Sequence, residues 1–397
     1  MKLRQLTWPL ILSAAVLLLT GRASPLVDSH GAPVSSSVAR FVLPQSYVIA
    51  SPFSRLLDTI TLLSVPQTIW LFSLFALIVL AFSARSLRQL FLHLVGIIVL
   101  VAIIEGAVVA LPRPAARLEA ADSDVVRVDF HSHTSASRDA NQRFSPEDNR
   151  DWHSAGGFDV AYITDHVRFH GAAEAMRKNP ARSGDSLVIF SGIEGRYHKI
   201  FSTILLGLTE KDSAAIDNKG HLLPRAAELG IDPVNIVAIP NRNLDSIFPD
   251  SLPRFSALEL VDAAPRGLGQ LDREEPRLRA VAAKHNLVLV SASNNHGWGH
   301  TVASWNLMSI PGWRNLSPDE LRPLIEQPLR ERRADAVTIV RRLRPATHGA
   351  MLPFTLPVAA YQIVASLTPA ERLSWIAWIW IITALIFLLR RSTRVRA

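Results

Sequence analysis

The chain has 397 residues, is 49% hydrophobic, carries a formal charge of +8 at pH 7 and contains no cysteine. The missing thiols exclude disulfides, thiolate zinc sites and a lipoprotein anchor, so any metal must be held by His, Asp, Glu or Asn. The apolar excess lies at the two ends with Arg beside it, which reads as a membrane-topology signal rather than a nucleic-acid footprint, so no nucleic-acid binding is indicated.

In chain order, residues 1–24 open with MKLRQ, run apolar from Pro9 to Leu19 and end at TGRAS. The run is short for a span, so this is either a signal peptide cleaved near Ala23 or a first membrane anchor. Residues 25–66 form an extracytoplasmic segment, of which 48–65 suits the outer membrane surface. The runs 67–83 and 90–111 each reach the length of a spanning helix and make a hairpin, 67–111, around a loop with Arg85 and Arg88. His93 and Glu105 sit in the second run, either as an intramembrane ion or proton site or as residues near enough to its ends to reach the interface. Residues 112–123 read as a linker. The apolar stretch 350–367 contains Pro353 and Pro357 and reads as an interfacial segment. The last span is 373–390, with Trp residues toward its start and RRSTRVRA after it. The positive-inside rule puts the N-terminus, the Arg85–Arg88 loop and the C-terminal Arg cluster in the cytoplasm. Residues 21–66 and 112–372 then lie outside. The expectation is a multi-pass protein of the bacterial cytoplasmic membrane, its central domain periplasmic or extracellular.

That domain, 124–345, alternates short apolar runs with charged, helix-like stretches. Strands are expected at 125–130, 159–163, 187–193, 200–207, 235–240, 256–261 and 287–292. Helices are expected near 145–156, 221–229, 270–285 and 317–333; Leu278, Val281 and Ala282 make one face of the third. Such alternation predicts an α/β fold with a largely parallel sheet, and about seven strands favour a barrel.

The first apolar run ends in VDFHSH. Strand side chains repeat every second residue, so His131 and His133 share a side and can chelate one ion; Asp129 is expected on that side too, facing the barrel core as a supporting partner. The second run ends in Thr164-Asp165-His166, and the third delivers Glu194. Strands that each present a metal-type ligand at the C-terminal end describe a metal site at a barrel mouth.

These motifs, His131-Ser132-His133-Thr134, Thr164-Asp165-His166, Gly192-Ile193-Glu194 and Ser293-Asn294-Asn295-His296, resemble the PHP superfamily, the polymerase and histidinol phosphatase metallohydrolases, over roughly 125–300. The resemblance implies a distorted (β/α)7 PHP-type barrel, here with flanking transmembrane helices. It implies divalent ions (Zn, Mn or Fe) and hydrolysis of phosphate esters by a metal-bound hydroxide. Position by position, His131, His133, His166, Glu194 and His296 match ligands, with Glu194 suited to bridging two ions. His198 resembles a further ligand, and Asp139 falls where some members place a third-metal ligand. Asn294 stands in place of an Asp, and Ile239 in place of a His, with Asn241 the candidate to compensate; one or two ions are therefore expected.

His296 and His198 are candidates to protonate the leaving group, and Asp165 joins them as a catalytic candidate. Arg196, Lys199 and Arg242, near predicted strand ends, are candidates for binding a substrate phosphate. Trp298 is expected to wall the pocket or to pack there. His153, His170 and His300 read as surface or supporting residues, and His221 and His285 as helix residues without function. Three functions follow: a membrane-anchored phosphoesterase acting on a phosphorylated small molecule or lipid-linked mono- or diester; a metallohydrolase of amide, carbamate or carboxylic-ester bonds; or a degenerate, non-catalytic metal-binding envelope module.

Overall fold

A computed structural model describes residues 3–83, 86–197, 201–238 and 255–395. The N-terminal part holds α1 (Leu3–Leu19), β1 (Leu26–Asp28), β2 (Ala39–Val42), α2 (Gln45–Ile49), α3 (Ser51–Thr61), α4 (Val65–Ser83) and α5 (Leu87–Ala110). The central part continues with β3 (Arg117–Ala120), β4 (Val125–Ser132), α6 (Pro146–Gly156), β5 (Val160–Ile163), α7 (His170–Met176), β6 (Val188–Tyr197), β7 (Phe201–Leu206), α8 (Arg225–Glu228) and β8 (Val234–Val237). After it come β9 (Ala257–Asp262), α9 (Pro265–His285), β10 (Val288–Ala292), β11 (Ser304–Ser309), α10 (Pro318–Arg330), β12 (Thr338–Arg342), α11 (Thr355–Ala365) and α12 (Pro369–Val395).

Local chemistry sets several of these boundaries. Ser145 and Asp148 form a reciprocal capping box on α6, Pro146 opens it, and Gly157 closes it at φ 85°. Ser317 and Glu320 start α10 in the same way. The helix near 221–229 shrinks to Arg225–Glu228, because His221 is instead tied to Asp217 in the preceding loop.

The fold is mixed α/β around a curled sheet of ten strands in the order β1-β12-β11-β4-β5-β6-β7-β8-β9-β10. All seven expected strands are present, as β4 to β10. The sheet is less parallel than expected. β7 runs antiparallel to both β6 and β8. The few residues between β6 and β7 cannot make the crossover that parallel neighbours require. β11, β12 and β1 extend the sheet beyond β4 as antiparallel strands that the sequence reading did not anticipate.

The free edge at β10 curls back onto β4. Near the mouth, Asn294 N donates to His131 O (2.9 Å) and His133 N donates to Asn295 O (2.9 Å). Lower down, β11 pairs with β4, and the Asn306 side chain stitches the gap. Its amide donates to Val128 O (3.0 Å) and Ser291 O (2.7 Å), and its oxygen accepts from Ser291 N (2.7 Å). The interior core draws Val128, Val160, Val188, Ile204, Ile236, Ala257 and Val290, one from each of the seven strands. Leu321, Ile325 and Leu329 of α10 join that core.

Among the described residues, three helices are long and apolar enough to cross a membrane: α4, α5 and the Pro369–Leu389 part of α12. Helix α1 is shorter and packs against α12. The 350–367 stretch breaks into a 3-10 turn and the 11-residue α11, about 16 Å long at 1.5 Å per residue, too short to span about 30 Å of hydrocarbon. Helix α3 is amphipathic in an inverted sense. It buries Ser51, Ser54, Arg55 and Asp58, while Phe53 and Leu56 are exposed.

Two buried ion clusters meet on α3, one tying it to α12 and the other tying it to the barrel. Arg55 pairs with Glu371 of α12 at 2.7 Å. Asp58 binds Arg342 (2.7 Å), Arg113 (3.4 Å), Tyr47 (2.8 Å) and Thr301 (2.7 Å). The stretch 112–123 is thus part of the fold rather than a linker, since it supplies Arg113 and also β3, which pairs with β2.

Candidate metal centre

The period-two argument for VDFHSH holds for Val126, Val128 and Phe130, which face the interior core. The pairing of β4 with β5 then shifts register between Asp129 and Ser132. Such a bulge breaks the alternation and re-aims a side chain. His131 consequently turns toward Glu194 and Glu259, while Asp129 stays on the opposite side. There it accepts from His153 of α6 (2.9 Å) and from Ser293 N (3.0 Å). The expectation that Asp129 shares the side of His131 is therefore corrected. His153 is fully buried against Asp129, a supporting residue rather than a surface one.

Five of the expected ligands converge. One group is His131, His133 and Glu194; a second is His133, His166 and His296. Within each group the donor atoms lie within 4.8 Å of one another. In the first, His131 Nε2 is 2.9 Å from His133 Nε2 and 3.3 Å from Glu194 Oε2. His133 Nε2 is 3.2 Å from the same oxygen. Ligands about 2.0–2.2 Å from a common ion, at angles near 90–110°, are about 2.8–3.6 Å apart, so the donor set fits a divalent ion. Glu194 Oε2 is also 3.3 Å from His166 Nδ1, which links the two groups.

The far ring nitrogens decide the tautomers. His131 Nδ1 is 2.7 Å from Glu259 Oε1, so it carries the proton. His133 Nδ1 is 3.0 Å from Ser137 Oγ, which donates its own hydrogen to Asp165 and therefore accepts from the ring. His296 Nδ1 donates to the carbonyl of Asn294 (2.9 Å). In their neutral form all three rings would thus present Nε2 as a lone pair, as ligating histidines do when a partner fixes the other nitrogen. Two such lone pairs facing each other at 2.9 Å, fully buried, repel unless a cation lies between them.

Without a bound ion, a second proton on His131 relieves that repulsion. Burial alone would lower His131, but Glu259 and Glu194 outweigh it and hold the imidazole well above its usual value. Burial pushes His133 down to about 3. Glu194, despite burial, is held well below the carboxylate range by hydrogen bonds from His131 and His133. The His131 proton thus sits where a cation would, and metal binding must displace it.

The remaining candidates are placed as follows. Asp139 is exposed and lies 3.2 Å from His166 Nε2 and 3.5 Å from His296 Nε2. Asp165 is fully buried behind His133. It accepts from Thr134 N (2.7 Å), Thr134 Oγ1 (2.7 Å) and Ser137 Oγ (2.9 Å), and so braces the loop after β4. Asn294 adopts φ 43° and donates to Asp262 Oδ2 (3.2 Å), while its buried oxygen has no partner among the described residues. Trp298 is half exposed and donates to Asp139 O (3.0 Å). Arg196 lies near the end of β6, its side chain outside the described residues, as are His198, Lys199, Ile239, Asn241 and Arg242.

The sequence reading missed Glu259 and Asp262, both on β9. A lone carboxylate inside the apolar run SALELV was the available signal, since a buried charge needs a partner. Burial and the neighbouring Glu259 push Asp262 up to about 6.

No protein-family model matches the sequence, and no curated protein matches it. Solved structures give distant likenesses. PsfC from Pseudomonas syringae is 15% identical with a TM-score of 0.38, over 59% of this chain and 96% of that one. A lesion-specific endonuclease from Pyrococcus furiosus is 16% identical with a TM-score of 0.38, over 51% of this chain and 56% of that one. An amidohydrolase from Chromobacterium violaceum is 13% identical with a TM-score of 0.33, over 54% and 97%. Likenesses this distant say nothing of activity.

Proposed function

We propose that the chain is a metal-dependent hydrolase acting on phosphate esters, anchored in a membrane with its barrel on the extracytoplasmic side. One observation carries the reading: two buried histidines with fixed tautomers, His131 and His133, and one buried carboxylate, Glu194, gather their donor atoms within 4.8 Å of one another. His131, His133 and Glu194 would hold one ion; His166 and His296, with Asp139 beside them, would hold a second. A bound divalent ion would activate water and polarise the phosphoryl group.

The chain's own residues do the rest. Glu259 keeps the His131 proton on Nδ1, and the Ser137–Asp165 pair does the same for His133. The Asn294 carbonyl holds the His296 proton on Nδ1 and leaves Nε2 for the second ion, so as a ligand His296 has no proton for a leaving group and that role passes to another group. Asp165 supports His133 without reaching substrate. His198 remains a candidate ligand or acid, and Arg196, Lys199 and Arg242 remain candidates for the substrate phosphate.

Exposed apolar side chains along α4, α5 and α12 (Leu77, Ile98 and Leu388 among them) support the membrane anchor. With α1 as a fourth crossing, the Arg-rich loop after α4 and the Arg-rich C-terminus fall on the cytoplasmic side.

The test is turnover by the full-length protein, loaded with Zn, Mn or Fe, on a phosphomonoester, a phosphodiester and a carboxylic ester. Cleavage of a phosphate ester that is lost in His133→Ala supports the reading. Cleavage of the carboxylic ester alone makes it a different hydrolase. Bound metal without turnover makes it the non-catalytic module that Asn294, in place of an acid, would suit.

A further inference from the structure

A cavity of about 430 Å³ lies between the metal centre and the ends of the apolar helices. This is within the roughly 300–1,000 Å³ typical of ligand pockets. One wall is the first turns of α4 (Ile69) and the final turns of α5 (Glu105, Val109). The other is the barrel rim, with Ala264 at the start of α9, then Trp298 and, at the inner end, His296. Its lining is mostly apolar, yet it ends on a histidine of the second donor group. A soluble ester gains nothing from walls of this kind. A molecule matching both ends has a hydrocarbon chain at membrane depth and an anionic group at the histidines. Glu105, an acid on the helix wall, leaves the His296 end as the place for an anion.

We infer that the cavity seats the acyl chain of a lipid phosphate ester and so delivers its headgroup from the bilayer to the metal centre. The inference rests on the phosphoesterase reading for what happens to the headgroup, but not for where the chain lies.

The test uses full-length protein in vesicles of phosphatidylethanolamine and phosphatidylglycerol, doped with phosphatidic acid bearing a diazirine in its acyl chain. The expected crosslinks include barrel-side peptides, Ala263–Pro265 or Trp298–Thr301, and fall at least fivefold in Ala264→Trp. Ile69→Trp, on the opposite wall, should lower them as well, and metal content checks that both variants are folded. Crosslinks confined to α4, α5 and α12, or unchanged in both variants, overturn the inference.

Turnover separates the two readings. Lipid-phosphate cleavage should fall at least tenfold relative to soluble-ester cleavage on the same preparation of Ala264→Trp; an unchanged ratio overturns the cavity and leaves the phosphoesterase standing. Barrel-side crosslinks without cleavage of either ester overturn the phosphoesterase and leave the cavity standing.

Discussion

Removing Glu259 should weaken metal binding without touching a ligand. Its carboxylate sits 2.7 Å from His131 Nδ1, and both groups are buried. A hydrogen bond to a charged group of this kind contributes about 1.5–3 kcal/mol. At about 1.4 kcal/mol per decade, that is roughly a 10- to 150-fold change in affinity, which agrees with the roughly 10–100-fold cost of losing the partner of a ligating histidine. Glu259→Ala is therefore expected to raise the Kd for Zn or Mn by about 10–100-fold. Glu259→Gln keeps an oxygen that accepts from Nδ1–H and should lose less than about tenfold, because the tautomer survives while the charge does not. The assay is chelator competition on the full-length protein in detergent, with Tm as the folding control. Glu259→Ala within twofold of the wild type would refute the role, and a Gln variant as weak as the Ala variant would show that charge, not orientation, is what Glu259 supplies.

Other outcomes follow from the same geometry. Asp58→Asn leaves Arg342 and Arg113 buried without their anion and should cost about 3–5 kcal/mol of stability; a thermal-unfolding loss below about 1 kcal/mol would contradict this. Burial raises the Asp58 carboxyl, but Arg342 and then Arg113 outweigh it and hold it below the usual value. Its stabilisation is therefore present above the unfolded carboxyl pKa and lost as pH falls through the folded one. The gap between wild type and Asp58→Asn should narrow below about pH 4 and stay constant from pH 5 to 7. In Gly171→Ala the added methyl would meet the Asp165 carboxylate and the Thr134 hydroxyl, so the brace behind His133 must shift. That should cost about 1–3 kcal/mol and weaken metal binding; unchanged metal affinity would show that the brace is dispensable. An alkaline phosphatase reporter is expected to be active when fused after Leu111 and inactive after Ala397, and inactivity at both positions would overturn the orientation.

The seven barrel strands were legible because each is a short apolar run, and the ligands because each falls where such a run ends. The antiparallel β7 was also within reach: the gap between the runs 187–193 and 200–207 is too short for a parallel crossover. β11 and β12 were not read. Ser304–Ser309 is half polar, Thr338–Arg342 ends in two arginines, and both are strands by virtue of what they pair with. The bulge at Asp129–Ser132 left no mark in the sequence, so the correct pairing of His131 with His133 came with the wrong side for Asp129. Glu259 and Asp58 looked like ordinary charges, because their partners lie 128 and 284 residues away.

The central claim is that His131 Nε2, His133 Nε2 and Glu194 Oε2 surround one cation. Crystals of the full-length protein grown with Zn or Mn, with data collected at the metal's absorption edge, test it most directly. An anomalous peak about 2.0–2.2 Å from all three atoms is the predicted result. A peak elsewhere, or none at metal concentrations that saturate binding in solution, would contradict it.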